Sequence, residues 1–174
     1  MYNCGISVGM RYAAGGSAAA VIGRNSASTE HSLITYFDYS TDLVSKRRSR
    51  MSDEEWAAML KNEIDSLRPI PYAGYDDNVG HAFVCDGYDN SGKYHFNWGW
   101  SGSNDGFYAL NNLVPGSGGV GGGSYSFNLN QQCIIRVHPN GTLVPPPPSA
   151  TVDEDCFITA FPYVMDFESG RDCC

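Results

Sequence analysis

The stretch from Gly80 to Trp100 holds the residues of this chain that are best suited to chemistry. It places His81, Asn97 and Trp98 among aromatic and turn residues. An imidazole that is oriented by a side-chain amide and shielded from water by indoles could act as a general base. It could keep a cysteine as the nucleophilic thiolate and later protonate a leaving amine. A histidine in an aromatic core can also be purely structural, so the residue types alone leave both interpretations open.

A β-hairpin is predicted to bring the histidine and the asparagine together. Side chains of a strand alternate between its two faces. With a long loop from Asp86 to Gly92, His81 would lie directly opposite Asn97, and their Cβ atoms would be roughly 4.5–5.5 Å apart. A tighter turn at Asn90–Ser91 would instead place Trp100 opposite His81. We predict the long-loop register, with the Asn97 amide beside the imidazole.

One helix and several short strands must position these residues. Ser52 and Glu55 have the spacing of a capping box, which predicts a helix beginning there. Its buried face is predicted from apolar residues at helical spacing, namely Trp56, Met59, Leu60, Ile64 and Leu67. Pro69 ends the pattern. Strands are predicted at residues 69–76, 81–88, 93–98, 106–110 and 131–138.

The composition indicates a folded, acidic protein. The chain has 174 residues, of which 42% are hydrophobic, and a formal net charge of −8. The negative charge argues against nucleic acid as a partner, because phosphate binding needs a basic surface. No apolar run approaches the roughly 20 residues of a membrane span.

The six cysteines show no zinc-ligand spacing, so neither a metal nor an organic cofactor is predicted. The basic run at 45–50 is interpreted as a solvated loop or, alternatively, a processing site.

Several unusual sequence motifs occur in a fixed order around His81. They are "GHAFV" at 80–84, "NWGW" at 97–100, Gly102, "DGF" at 105–107 and a glycine-rich loop at 114–128. This series resembles the C-terminal half of the streptopain family (peptidase family C10), papain-like cysteine peptidases of bacteria. The segments 4–17 and 52–74 are also similar to that family. The resemblance covers about residues 1 to 138.

The resemblance implies an α+β, papain-like fold, mainly its antiparallel β-sheet or barrel half with a packed helix, truncated at the N terminus. His81 would be the catalytic base and Asn97 would take the place of the orienting asparagine. Trp98 and Trp100 would be the tryptophans that shield and support this pair. The implied partners are protein or peptide substrates and an inhibitory propeptide or inhibitor protein. The implied location is secreted or on the cell surface.

The nucleophile that the resemblance requires is missing from the matching positions. In the family, the catalytic cysteine begins a small-residue-rich helix upstream of the segment that residues 4–8 resemble. Cys85 is four strand residues from His81, about 13 Å at ~3.3 Å per residue, which is too far for proton transfer to the imidazole. Cys4 matches a non-catalytic position, and Cys133 is predicted to be a core residue.

The composition also predicts how the chain is divided. Residues 1–139 form the peptidase-like domain, and 140–151, with four consecutive prolines, form a stiff linker. Residues 152–174 are too short to fold alone and resemble the start of a truncated, β-sandwich adhesin-like module.

Three interpretations of the function remain open. The preferred one is a fragment of a secreted cysteine endopeptidase whose upstream segment supplies the thiol. The alternative is a non-catalytic adhesion or binding module on a degenerate peptidase fold. A third is an unrelated, β-rich structural domain.

Overall fold

The computed structural model describes residues 2–14, 16–117 and 124–141. The predicted linker and C-terminal module therefore lie outside the described residues, apart from positions 140 and 141. The helices are α1 (Tyr2–Ser7), α2 (Thr29–Tyr36) and α3 (Asp53–Asp65), with a short 3₁₀ helix at Arg48–Arg50. The strands are β1 (Val44–Arg47), β2 (Ile70–Tyr75), β3 (Gly80–Tyr88), β4 (Tyr94–Asn97), β5 (Gly106–Tyr108), β6 (Gly116–Ser117), β7 (Ser124–Tyr125) and β8 (Leu129–Ile135).

An antiparallel sheet forms the centre of the described part of the chain. Its strand order is β1-β8-β2-β3-β4-β5, and β6 and β7 pair separately. The two central strands, β2 and β3, pair along six positions, which include Gly74 opposite His81. The late strand β8 therefore returns to the sheet beside β2, and the segment just before β8 passes close to the His81 position.

Helix α3 forms as predicted and packs on this sheet. Ser52 Oγ accepts a hydrogen bond from the Glu55 N–H at 3.2 Å, and Glu55 accepts one from the Ser52 N–H at 2.8 Å. This capping box satisfies two backbone donors at the start of the helix. Trp56 has no exposed surface. The prediction that Leu67 continues the buried face is wrong: Leu67 has a φ of 57° and is 73% exposed, because the helix ends at Asp65.

Two hydrophobic clusters lie on opposite faces of the sheet. Consecutive strand residues point to opposite faces; Tyr72 belongs to the cluster under α3, and Ala73 belongs to the cluster under α2. The cluster under α3 continues through Phe83 to Trp98. His81 shares this face because it lies two residues before Phe83, so the imidazole is at the edge of an aromatic core.

The predicted hairpin register is wrong, and the alternative register is the one observed. On the His81 side of the hairpin, Asn97 pairs with Val84 and Phe96 with Cys85, which is the register of a turn at Asn90–Ser91. Nearer the tip, Tyr94 pairs with Tyr88, so the turn itself is centred on Ser91. The reason is local: the Asp89 carboxylate accepts hydrogen bonds from the backbone N–H groups of Ser91 and Lys93, at 2.8 and 2.9 Å. These bonds close a tight turn and extend the ladder towards its tip. A bulge between Cys85 and Gly87 adds one residue of shift.

The basic run at 45–50 is ordered, so the loop interpretation is wrong. Its first half belongs to β1 and its second half to the 3₁₀ helix. Arg48 donates to the Leu110 carbonyl and to Gln131. Cleavage at this run is not tested by the structure.

In the described ranges, no helix is long and apolar enough to cross a bilayer. The same residues contain no group of three or more histidine, cysteine, aspartate or glutamate side chains placed to hold a metal ion.

Candidate active site

The His81 imidazole makes one hydrogen bond. Its Nε2 lies 2.7 Å from the carbonyl oxygen of Trp98. A carbonyl oxygen can only accept, so in this geometry Nε2 carries the hydrogen and Nδ1 of the neutral ring carries the lone pair. No described residue forms a hydrogen bond with Nδ1. The ring is therefore held at one nitrogen and able to take a proton at the other.

Aromatic rings surround the imidazole on two sides. The Trp100 ring is stacked on it at a centroid distance of 4.9 Å, and the Phe127 ring is tilted against it at 5.3 Å. Trp100 and Phe127 are 6.4 Å apart, which is much less than a sandwich around the imidazole would require. The two rings therefore form a corner, which leaves part of the imidazole open to an incoming group.

This environment favours the neutral imidazole. Burial lowers the pKa of His81 below its ordinary value, and the hydrogen bond to the Trp98 carbonyl opposes that effect in part. No charged group contributes to the shift. Because the neutral ring predominates near pH 7, His81 is in the state that a general base needs.

A short turn after β4 presents the Trp98 carbonyl to His81. The Trp98 N–H donates to the Asp105 carboxylate at 2.8 Å, and the Gly99 N–H donates to the Asn97 side-chain oxygen at 2.9 Å. Gly99 has a φ of 72°, which a glycine adopts without strain. The peptide group that contains the Trp98 carbonyl and the peptide group before it are thus each held by a side chain.

The structure brings His81, Trp98 and Trp100 together but separates the Asn97 amide from that group. Asn97 is exposed and lies across from Val84. Its side-chain oxygen is bonded within the turn, so the hydrogen-bond acceptor that meets the imidazole is a backbone carbonyl. The predicted direct contact between the Asn97 side chain and the imidazole is wrong, because the tight turn shifts β4 along β3.

Two buried donors beside this site have no partner among the described residues. They are the Trp98 indole Nε1 and the Asn104 amide Nδ2. Trp98 is fully buried, and its ring meets the Tyr108 ring edge-on at 5.3 Å. The Tyr108 hydroxyl in turn donates to the Asn104 carbonyl. A buried donor without an acceptor costs roughly 1–3 kcal/mol, so the turn carries unused hydrogen-bonding capacity next to the imidazole.

The cysteines of the described residues are poor candidates for the nucleophile. Cys85 and Cys133 are fully buried, and Cys4 is exposed on α1. Burial raises the pKa of both buried thiols, and the Asp86 carboxylate raises that of Cys85 further. A raised thiol pKa disfavours the reactive thiolate. The prediction that Cys133 belongs to the core is confirmed.

Sequence reasoning gave no role at the site to three residues that shape it. Phe127 forms one wall of the corner, Gly74 lies beneath it, and Asp105 holds the Trp98 N–H. A glycine inside a strand indicates a close approach of another backbone, which is a signal that Gly74 offered. No comparable signal marked Phe127 as a neighbour of His81, because the two residues are 46 positions apart.

Comparison with known proteins shows similarity to cysteine peptidases. The model of the peptidase C10 family matches residues 1–108. A thiol protease/hemagglutinin of Porphyromonas gingivalis, PrtT, is 39% identical over 155 residues, which cover 87% of this chain and 17% of that protein. Streptopain of Streptococcus pyogenes is 36% identical over 139 residues, which cover 80% of this chain and 34% of that protein.

Solved structures show the same likeness. The active wild-type interpain A cysteine protease of Prevotella intermedia matches with a TM-score of 0.63 and 33% identity, over 75% of this chain and 51% of that one. A prointerpain A fragment from the same organism matches with a TM-score of 0.56 and 32% identity, over 75% of this chain and 38% of that one.

These matches confirm the predicted α+β, papain-like fold. They also define what the chain covers, which is about a third of the length of streptopain and about half of the interpain A chain. The family model matches well over half of the chain, and the motifs from Gly80 to Phe107 lie within the match. This chain therefore belongs to the peptidase C10 family of cysteine peptidases.

Proposed function

We propose that this chain carries the general-base half of a cysteine endopeptidase site. The observation that carries the proposal is the His81 imidazole, which is bonded at Nε2 to a backbone carbonyl and unbonded at Nδ1. Family membership supports the same role. The nucleophilic thiol is proposed to come from a segment N-terminal to Met1, since the described cysteines are buried or lie at positions with no match to a nucleophile.

The reaction follows from this arrangement. His81 Nδ1 takes the thiol proton, and the thiolate attacks the carbonyl carbon of the scissile peptide bond, forming a C–S bond. The imidazolium then returns the proton to the leaving nitrogen as the C–N bond breaks. A water molecule, deprotonated by His81, hydrolyses the resulting thioester and regenerates the thiol. The Trp98 carbonyl stabilises the imidazolium by accepting its Nε2 hydrogen.

Asn97, Trp98 and Trp100 have supporting roles in this proposal. Asn97 acts on His81 indirectly, because its side chain holds the turn that presents the Trp98 carbonyl. Trp100 covers the imidazole by stacking, and Trp98 supplies both the carbonyl and a buried ring beneath the corner.

The decisive experiment compares this chain with the chain extended by the segment that its gene encodes before Met1. We expect the 174-residue chain to hydrolyse no peptide and the extended chain to cleave a fluorogenic peptide, with activity abolished by thiol alkylation. In the extended chain, His81→Ala should lower kcat/KM by at least about 10²–10⁴-fold, because it removes the general base. His95→Ala is the matched control, since His95 lies on the neighbouring strand and pairs with Asp86 at 2.6 Å.

Three outcomes would contradict the proposal. Equal losses in His81→Ala and His95→Ala would reject His81 as the base. A reading frame that begins at Met1, or an upstream segment without cysteine, would reject the location of the thiol. Cleavage by the 174-residue chain alone would do the same, and Cys4→Ser would then identify whether Cys4 is the nucleophile. No observation favours the alternative of a non-catalytic binding module, which a fully inactive extended chain would support.

The proposal includes partners and location. We infer that the substrates are proteins or peptides and that an inhibitory propeptide or inhibitor protein covers the site before activation; the match to a prointerpain fragment supports a propeptide. We infer that the protein is secreted or lies on the cell surface, on family resemblance. The acidic net charge of −8 supports the expectation that nucleic acid is not a partner.

A further inference from the structure

Hydrogen bonding alone does not set the orientation of the His81 ring. The bond from Nε2 to the Trp98 carbonyl oxygen fixes one ring atom. Rotation about the Cβ–Cγ bond moves Nε2 only slightly, so it can still tilt the plane of the ring. Nothing else in the described ranges offers the imidazole a polar partner. The plane of the ring, and with it the direction of the Nδ1 lone pair, must therefore be set by the side chains packed against it.

Phe127 is the packed side chain that reaches His81 from farthest along the chain. It is 1% exposed, and its ring lies 5.3 Å from the imidazole and 5.6 Å from the Trp98 ring. Tyr125 stacks on it from behind at 5.7 Å and also lies 6.2 Å from Trp100. Phe127 is thus a supported wall of the corner and cannot swing away without displacing other rings.

The main chain of Phe127 crosses strand β2 at the residue paired with His81. A Cβ atom at Gly74 would lie 2.3 Å from the Phe127 carbonyl oxygen and 2.9 Å from the Phe127 Cβ. The pairing of β2 with β8 is interrupted between Ala73 and Tyr75, at the same place. Gly74 has an ordinary φ, so an alanine there would be acceptable to its own backbone. The glycine is needed for the space that Phe127 occupies.

Hydrogen bonds hold the Phe127 backbone in this position against Gly74. Its N–H donates to the Leu113 carbonyl at 2.9 Å, and the Leu113 N–H donates to the Asn128 side-chain oxygen at 2.7 Å. The Asn128 amide also donates to Ser126 Oγ at 2.7 Å. These bonds join the residue before the glycine-rich loop to the last three residues of that loop, directly beside Phe127.

We propose that Phe127 is a positioning residue that sets the plane of the His81 imidazole. Its backbone packs against Gly74, and hydrogen bonds of the Phe127 N–H and the Asn128 side chain join it to Leu113. Phe127 touches no reacting atom; it acts by keeping the Nδ1 edge turned to the open side of the corner. The structural part of this proposal stands on the contacts above, and its catalytic consequence rests on the proposed function.

The structural part is tested by NMR on the 174-residue chain with ¹⁵N-labelled histidine. Gly74→Ala should displace the Phe127 backbone, and Phe127→Leu should remove the aromatic wall. In both variants we expect His81 to lose its single Nε2–H tautomer signal and its pKa to rise towards the ordinary value of about 6.5, because water reaches the ring. Gly106→Ala is the matched control: it is also a strand glycine, and its Cβ would have no neighbour closer than 3.9 Å.

The catalytic part is tested in the extended chain. Gly74→Ala and Phe127→Leu should lower kcat by about 10–100-fold, since a misplacement of about 1 Å can cost on the order of 10²-fold. KM should change by less than about 3-fold, because substrate contacts are not removed, and Gly106→Ala should leave both constants unchanged.

The outcomes separate the two proposals. Wild-type ¹⁵N signals for His81 in both variants would overturn the positioning role, as would changed signals with an unchanged kcat. Changed signals in a protein whose extended form has no peptidase activity would leave Phe127 as the residue that orients His81 and would reject the peptidase function. If Gly74→Ala does not fold, as judged by its amide spectrum, Phe127→Leu decides.

Discussion

The polar groups at the two ends of the aromatic core under α3 differ in how completely they are hydrogen-bonded. At one end, the Tyr72 hydroxyl accepts from the Trp56 indole at 3.0 Å and donates to the Gln131 side-chain oxygen at 2.5 Å. Arg48 donates to the same oxygen at 3.0 Å, and the Gln131 amide donates to the Leu110 carbonyl at 2.8 Å. The polar groups of this network bond to one another and to backbone.

At the other end, hydrogen-bonding capacity is left over. His81 uses one nitrogen of two, and the buried donors of Trp98 and Asn104 have no acceptor among the described residues. Tyr72 and His81 nevertheless belong to one continuous aromatic layer, because Phe83 lies 5.3 Å from the first ring and 5.8 Å from the second.

This difference distinguishes structural polar groups from reactive ones. A saturated network stabilises one arrangement and offers nothing to a substrate, whereas a group with an unused lone pair can exchange a proton. The Arg48–Gln131–Tyr72 network links the 3₁₀ helix, β8 and β2, and the imidazole on β3 stays free at Nδ1. Stability and reactivity should therefore respond to different substitutions.

The largest effect on stability is expected from Gln131→Ala. This change leaves the Tyr72 hydroxyl and one Arg48 N–H without their acceptor in the core, and each buried orphan costs roughly 1–3 kcal/mol. We expect the free energy of unfolding to fall by about 2–4 kcal/mol in urea titrations. Gln132→Ala is the control on the opposite sheet face, where Gln132 is also buried but bonds to the exposed Arg47 and the half-buried Tyr75. Equal losses in the two variants would show that the network is not special.

Sequence patterns predicted the individual helices and strands better than the contacts between them. The capping box at Ser52 and Glu55 and the spacing of apolar residues are local signals, and α3 begins where they indicate. The motifs around His81 predicted that Trp98 and Trp100 lie beside the imidazole, but they wrongly placed the Asn97 side chain there. Both kinds of signal lie within a short stretch of chain, where secondary-structure preference and side-chain pattern act together.

The misses have a common physical cause, which is that they depend on one side chain or on distant contacts. The hairpin register was decided by the Asp89 carboxylate, which binds backbone N–H groups and tightens the turn. A change of register moves every cross-strand pair, so the predicted partner of His81 changed from a side chain to the Trp98 carbonyl. The contact of Phe127 with Gly74 joins residues 53 positions apart. The strand glycine signals a close approach of some backbone, but no local pattern identifies Phe127 as the partner.

Acidification should act on His81 and on Glu63 of α3 in separate pH ranges. Burial lowers the pKa of His81 below its ordinary 6.5. The unfolded chain therefore binds more protons than the folded chain between the two values, and stability falls as the pH drops below about 6.5. Burial alone would raise the pKa of Glu63, but hydrogen bonds from Arg68 and the Arg136 N–H lower it below 4.5, so its contribution is lost only as the pH falls below that value.

Urea midpoints measured from pH 4 to pH 8 would sharpen this contrast. His81→Gln, which does not titrate, should flatten the slope just below pH 6.5 and leave the loss below pH 4.5 in place. Glu63→Gln should do the reverse and lower stability at every higher pH, because it weakens the pair with Arg68. An unchanged slope between pH 5 and 6.5 in His81→Gln would contradict the lowered pKa of the imidazole.

The smallest effect is expected from Asn97→Ala, and it separates an indirect role of this residue from a direct one. Asn97 is exposed, and its side-chain oxygen accepts from the Gly99 N–H. Loss of one such hydrogen bond costs about 0.5–1.5 kcal/mol, and water can replace it. Because the Trp98 N–H remains bonded to the Asp105 carboxylate, the carbonyl that meets His81 should stay nearly in place. In the extended chain we expect kcat to fall by less than about 10-fold, with the His81 tautomer unchanged in ¹⁵N spectra.

Asp105→Ala should cost more, since bonds to charged groups contribute about 1.5–3 kcal/mol. If Asn97→Ala instead approached the loss of His81→Ala, the Asn97 amide would have to reach the imidazole during catalysis, and the open end of the core would be as fully partnered as the closed one.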